Sequence, residues 1–327
     1  MNNWIKRYQK NKIILEENHL YNVKDEHDAC GVGFVASIDG SQRREVVEGG
    51  IDALKAVWHR GAVDADGKTG DGAGLLTEIP NNFFENEVEK TGHQKKDETL
   101  GIGMMFLPRN DYSALEKCRT IIESELLDHG YYIYGWRQVP INNRVIGDKA
   151  NSTRPEIEQV MFVNNIEREK NFDFAKELYL IRRRLEKRIQ KQQISDFYVC
   201  SLSFDSIIYK GLFLAEQLSI FYPDLANKNF TSSYALFHQR YSTNTFPSWG
   251  LAQPFRMLAH NGEINTISGN TNWMRNHQTR ITSEIFGEDS EQVKPIIEKN
   301  VSDSAALDAA FELYVRAGRS VPLVKTL

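Results

Sequence analysis

The chain has 327 residues, 41% hydrophobic and 26% charged, enough apolar material for one large domain or two ordinary ones, and wholesale disorder is excluded. Forty basic residues against forty-four acidic ones leave a net charge of −4, which offers no electrostatic footprint for nucleic acid or an anionic membrane. Three scattered cysteines, Cys30, Cys118 and Cys200, exclude a disulfide framework and a CxxC zinc site, so a reducing compartment follows.

Residues 1–29 lack the apolar core of a secretory signal, "KIIL" being their longest apolar run, and their lysines and arginines are balanced by acids, unlike a transit peptide. No stretch is long and apolar enough to span a membrane. "CGVGFVASI" reads as a buried strand ending in a turn at Asp39-Gly40. "RREVVEGGIDALKAVWHRG" has a helical period, with Val46, Val47, Ile51, Leu54 and Val57 on one broad face and a stop at Gly61. "GAGLLTEIP" and "GIGMMFLP" have strand length, and the charged "EVEKTGHQKKDET" between them reads as an exposed loop. Asp111 is positioned to cap a helix carrying Leu115, Cys118, Ile122 and Leu126, which makes Cys118 a core residue.

"YYIYGWRQV", "IEQVMFV" and "DFYVCSLSF" follow as strands, the last burying Cys200. In "DFAKELYLIRRRLEKRIQK" the residues Phe174, Leu178, Ile181, Leu185 and Ile189 share one helical face, and Arg182 to Arg184 read as a solvated outer face. "SSYALFHQRYS" and "RMLAHNGEI" read as strands, "GNTNWMRNHQTR" as a helix, and "SDSAALDAAFELYVRAG" as a capped helix with Ala306, Phe311, Leu313 and Val315 among its apolar residues. Strands dominate and helices come in separate pieces. That pattern favours an α+β layered sandwich over a doubly wound sheet.

Four stretches carry side chains suited to chemistry. Cys30 is a nucleophile only with a base in reach, and His27, His59, His238 and His260 stand in no cysteine-protease pattern around it. The alternative base is the α-amine of Cys30 itself, whose ordinary pKa of about 7.7–8.0 suits proton transfer once the Ala29–Cys30 bond is cut. In "HNGEIN", Asn261-Gly262 is a hairpin-turn signal, and the same turn can present a side-chain amide and a backbone N–H to an oxyanion. In "FHQRYSTNT", Arg240 is followed by the hydroxyl and amide donors Ser242, Thr243, Asn244 and Thr245, either a surface ion pair or a carboxylate grip. In "VSDSAALD", Asp303 begins a helix whose cap is Ser302, Asp303 or Ser304, and a capping carboxylate can also meet an ammonium group. Together these groups suit an α-amino acid with a side-chain amide, glutamine above all.

"CGVGFVASIDG", "GIDALKAVWHRGAVDADGKTGDGAG", "FYVCSLSFDSIIYKGLFLAEQL", "FHQRYSTNTFPSWGLAQPFRMLAHNGEINTISGN" and "SDSAALD" resemble the amino-terminal glutaminase domain of glutamate synthase large subunits. The resemblance runs from Cys30 to the last residue. It implies a class II glutamine amidotransferase with the four-layer αββα sandwich of amino-terminal-nucleophile hydrolases. It further implies that residues 1–29 are a propeptide cleaved before Cys30, and that residues 30–327 are the amidotransferase domain, incomplete at its C-terminal end. In that scheme Cys30 is the nucleophile, Asn261 and Gly262 hold the oxyanion, and Arg60 stands near the nucleophile. Arg240, Asp303 and Thr243 bind substrate.

The expected reaction is hydrolysis of L-glutamine to glutamate and ammonia. In the full-length enzyme, by resemblance, ammonia passes to 2-oxoglutarate. FMN and an iron–sulfur cluster serve other domains, no cofactor or metal serves this segment, and the electron donor is ferredoxin or an NAD(P)H-dependent small subunit. A cytoplasmic setting is expected, with a plastid open for a plant-type relative. Two alternatives stay open. One is another class II amidotransferase, although those usually place the cysteine directly after the initiator methionine. The other is a non-catalytic fragment acting as an interaction module.

Overall fold

The computed structural model describes residues 2–18, 22, 31–240, 246–262, 264, 266–281, 284–298 and 301–326. The chain divides into two units, Met1–Cys30 and Gly31–Leu327. In the first, Asn2–Asn18 form helix α1, an element the short "KIIL" run did not predict.

In the second unit, eight strands among the described residues make two four-stranded antiparallel sheets. One sheet runs β1 (Val32–Ala36), β8 (Tyr234–Gln239), β2 (Ala73–Glu78), β7 (Ser206–Gly211). The other runs β4 (Tyr131–Gln138), β5 (Glu156–Asn164), β3 (Leu100–Leu107), β6 (Tyr198–Ser203). The helices are α2 (Arg44–Ala56), α3 (Asn81–Lys90), α4 (Tyr112–Asp128), α5 (Asp148–Ser152), α6 (Phe174–Lys191), α7 (Leu218–Phe221), α8 (Ile267–Gln278), α9 (Asp303–Arg316) and α10 (Val321–Thr326).

The layering follows from alternation along β3, which is buried on both faces. Ile102, Met104 and Phe106 belong to the core shared with the first sheet and α2. Met105 and Leu107 belong to a second core built with Leu115, Ile122, Leu178 and Ile181 of α4 and α6. Helix α2 covers β1 and β8 on the far side. The unit is therefore a four-layer αββα sandwich. Asp111 caps α4 by accepting from the Ala114 N–H at 2.9 Å, and Asp173 caps α6 from Lys176 at 2.9 Å. Cys118 and Cys200 are fully buried, and burial pushes each thiol up to about 12, so neither is a nucleophile at neutral pH.

Four local expectations need correction. The supposed loop beginning at Glu87 starts inside α3, because Val88 anchors that helix in the core beside Phe83 and Phe84. "RMLAHNGEI" forms no strand among its described residues. The N–H groups of Met257 and Leu258 go instead to Asp308 Oδ1 at 2.8 and 3.2 Å. Strand β7 was not anticipated. Arg182 and Arg183 are buried rather than solvated. Arg182 pairs with Glu186 and Glu312, both at 2.7 Å, and Arg183 with Glu186 at 2.8 Å and the Pro295 carbonyl at 2.6 Å. Against the burial that opposes its charge, Arg182, Arg183 and Arg256 hold the Glu186 carboxyl down at about 2. Glu312 and Pro295 sit more than a hundred residues along the chain, where helical periodicity cannot see them.

The two sheets are pinned by a buried ion pair. Arg137 of β4 donates to both oxygens of Asp224 at 2.8 and 2.7 Å, and Tyr209 of β7 donates to the same carboxylate at 2.8 Å. Removing the cation strands a buried charge, which costs about 3–5 kcal/mol. Arg137→Met should lower the urea-unfolding free energy by that amount, and a loss below about 1 kcal/mol would show the pair to be dispensable.

Candidate active site

Residue 31, directly after Cys30, is the fixed point of the site. Its carbonyl accepts the Gln239 N–H at 2.6 Å, extending the β1–β8 ladder by one step. A Cβ added to Gly31 would lie 2.5 Å from Asn261 Nδ2 and 3.5 Å from Arg60 Cβ. Only glycine fits. The Asn261 amide and Arg60 thus flank the backbone next to Cys30. Cys30 itself, Thr243 and His27 lie outside the described residues.

Arg60 closes a 3₁₀ turn, Trp58–Arg60, that follows α2. At Gly61 the side chain of Gln239 passes so close that an added Cβ would fall 2.7 Å from its Cδ. On β8 the neighbouring His238 is fully buried and its Nε2 lies 3.1 Å from the His260 carbonyl. A carbonyl cannot donate, so Nε2 carries the proton and the imidazole is neutral. Burial, opposed by the His260 carbonyl and the Asn261 side chain, holds His238 at about 4. It is therefore uncharged at neutral pH.

Arg240, one residue past β8, is buried and well tied. Its N–H donates to the Gly72 carbonyl and its Nη1 to the Leu251 carbonyl, both at 2.8 Å. Burial lowers its pKa, while Asp71 and Asp303 favour the cation. Asp303 is the first residue of α9, but the cap is Ser302, whose Oγ accepts the Ala305 N–H at 3.2 Å. That leaves the Asp303 carboxylate to accept from Ile264 N–H at 3.0 Å and Ser304 N–H at 2.7 Å. Asp303 also opposes the burial that depresses His260. Arg240, His260 and Asp303 therefore share one electrostatic neighbourhood.

Between them runs the turn His260-Asn261-Gly262. The Gly262 N–H donates to His260 Nδ1 at 3.0 Å, inside its own turn. Of the five buried side-chain polar atoms without a hydrogen bond among the described residues, three surround this turn: His238 Nδ1, Gln239 Oε1 and His260 Nε2. Unsatisfied polar atoms of this kind concentrate where a ligand completes the network. Two contributors were not singled out from the sequence. Gln253 brackets the His260 backbone, accepting its N–H at 3.0 Å and donating to its carbonyl at 3.2 Å. Lys210, fully buried on β7, donates to the carbonyls of Gly250 and Ala252 at 2.9 and 2.7 Å. The only signals were a glutamine before Pro254 and a lysine inside an apolar strand.

No group of three or more His, Cys, Asp or Glu suited to a metal occurs among the described residues. The described thiols Cys118 and Cys200 lie in different buried clusters and do not converge on one iron–sulfur site. No described helix is long and apolar enough to cross a membrane.

The layered sandwich agrees with a comparison to known families. The profile of the class-II glutamine amidotransferases matches residues 30–326, and the chain belongs to that family. It is 59% identical over 320 residues to the NADPH glutamate synthase large chain of Azospirillum brasilense, covering 98% of this chain and 21% of that one. It is 42% identical to the corresponding Bacillus subtilis large chain over 92% of this chain, and 40% identical to chloroplastic ferredoxin-dependent glutamate synthase 2 of Arabidopsis thaliana over 92%. The chain spans about a fifth of the length of these relatives.

The depressed His238 makes stability pH-dependent. Its folded pKa of about 4 lies below the ordinary 6.5, so the unfolded chain binds the proton first. The stabilisation is complete above pH 6.5 and is lost as pH falls toward 4, about 3 kcal/mol in all. His238→Gln should flatten the stability–pH slope in that window in urea titrations. Equal slopes in both proteins would contradict a buried neutral His238.

Proposed function

We propose that the chain hydrolyses L-glutamine to glutamate and ammonia, with Cys30 as nucleophile after removal of residues 1–29. The observation that carries this reading is the crowding of residue 31 by the Asn261 amide and Arg60, with Arg240 one strand position beyond. The freed α-amine of Cys30 takes the thiol proton, and the sulfur bonds to the substrate's amide carbon. Negative charge moves to the carbonyl oxygen, held by Asn261 Nδ2 and the Gly262 N–H. An anionic oxygen is a stronger acceptor than a neutral imidazole, so it draws the Gly262 N–H away from His260 Nδ1. The carbon–nitrogen bond breaks, the amine returns its proton to the departing ammonia, and water releases glutamate from the thioester.

Arg240 and Thr243 grip the substrate carboxylate and Asp303 its ammonium. The relatives' names support placing this step within a glutamate synthase, with ammonia delivered to 2-oxoglutarate by further domains carrying FMN and iron–sulfur chemistry. The electron donor is then NAD(P)H through a small subunit, or ferredoxin, and the setting is cytoplasmic.

Cys30→Ala should abolish both hydrolysis and labelling by a glutamine-analogue electrophile; labelling that persists would move the nucleophile elsewhere. Asn261→Ala should lower kcat by about 10²–10³ with little change in KM. Arg240→Lys should do the opposite, raising KM more than it lowers kcat, because a single ammonium cannot replace the bidentate fork. Steady-state kinetics on the matured protein read both.

A further inference from the structure

His260 precedes the turn that carries Asn261, yet no strand runs beside it. Its N–H and carbonyl are groups that a sheet would normally satisfy. One side chain reaches both groups: Gln253 Oε1 accepts the His260 N–H at 3.0 Å, and Gln253 Nε2 donates to the His260 carbonyl at 3.2 Å, beside His238 Nε2 at 3.1 Å. A primary amide has the same donor and acceptor as a peptide unit, so Gln253 pairs with His260 as a neighbouring strand would.

Gln253 is itself held firmly. It is 4% exposed, and the three carbonyls before it are taken by buried cations. Lys210 Nζ donates to those of Gly250 and Ala252, and Arg240 Nη1 to that of Leu251. The Gln253 carbonyl packs on Gly74 of β2, where a Cβ would overlap it. The framework therefore runs from β7 and β2 through the 250–253 segment to the His260 backbone, and from there to the Asn261 amide beside residue 31.

We propose that Gln253 is a positioning residue for the oxyanion site: its side-chain amide stands in for a strand along His260 and aims Asn261 at the backbone following Cys30. The proposal rests on the reading of Asn261 as an oxyanion donor. Gln253 touches no reacting atom in this scheme and acts through its neighbour.

Two variants of the full chain test it. Gln253→Met removes both bonds at similar volume, and Gln253→Glu keeps the acceptor for the His260 N–H while losing the donor. Amide hydrogen exchange at His260 needs no activity. It should accelerate about tenfold or more in Gln253→Met and stay near wild type in Gln253→Glu. Unchanged exchange in Gln253→Met overturns the proposal.

With the matured protein and L-glutamine, both variants should lose about tenfold or more in kcat with KM within about threefold. In an Asn261→Ala background neither should cause a further loss. Losses that multiply in that background, or that appear in KM alone, contradict positioning through Asn261. If Gln253→Met does not fold, the kinetics of Gln253→Glu decide by the same criterion. A wild-type protein that turns over no glutamine, with His260 exchange still responding to Gln253→Met, sinks the glutaminase reading and leaves the positioning intact.

Discussion

Residue 31 has no room for a side chain, and the arrangement of the site depends on that constraint. Because its carbonyl is tied to Gln239, the start of β1 lies against the end of β8 in a fixed register, with Val32 opposite His238. The same end of the sheet also receives the start of β2, where Ala73 faces Gln239. Three chain segments far apart in sequence thus deliver Cys30's neighbour, the His238–Arg240 run and the Gly72 carbonyl to one edge. A larger residue at 31 would push away the Asn261 amide. The packing that admits only glycine is the packing that places the donor.

Around this point the described residues concentrate unsatisfied buried polar atoms, three of the five, the other two belonging to Asp308 and Arg316. Two buried charge clusters away from the site are paired: Arg137 and Asp224 make a bidentate bridge, and Glu186 is neutralised by two arginines of its own helix. At the site, His238, Gln239 and His260 each keep a buried polar atom without a partner among the described residues. Thr266, just before α8, adopts a left-handed backbone with φ of 58°, costing roughly 1–3 kcal/mol. Such costs persist only where the surrounding structure over-determines the geometry. Nearby, Lys210 and Arg240 satisfy the consecutive carbonyls of Gly250, Leu251 and Ala252, and Gln253 the backbone of His260, with buried side chains.

The layered architecture was legible because alternation and helical period are local signals. The unbroken apolar run of β3, buried on both faces, and the apolar stripe of α6 are visible in eight- and eighteen-residue windows. The placement of Arg240 just past a strand and of Asp303 at a helix start was legible as well. What stayed hidden depended on long-range contact. Arg182 and Arg183 looked solvated because Glu312 and Pro295 arrive from the far end of the chain. "RMLAHNGEI" looked like a strand because nothing in its pattern says that Asp308 and Gln253 will take its donors. The internal bond from Gly262 to His260 was likewise out of reach, since a turn signal does not say where its N–H points.

The central claim is that the sulfur of Cys30 works with the nitrogen of its own residue. N-terminal sequencing of the fraction that turns over glutamine measures this directly. The account predicts a first residue of Cys30 and no turnover in any fraction retaining Met1. Turnover by a chain whose residue 30 is still joined to Ala29 would contradict it.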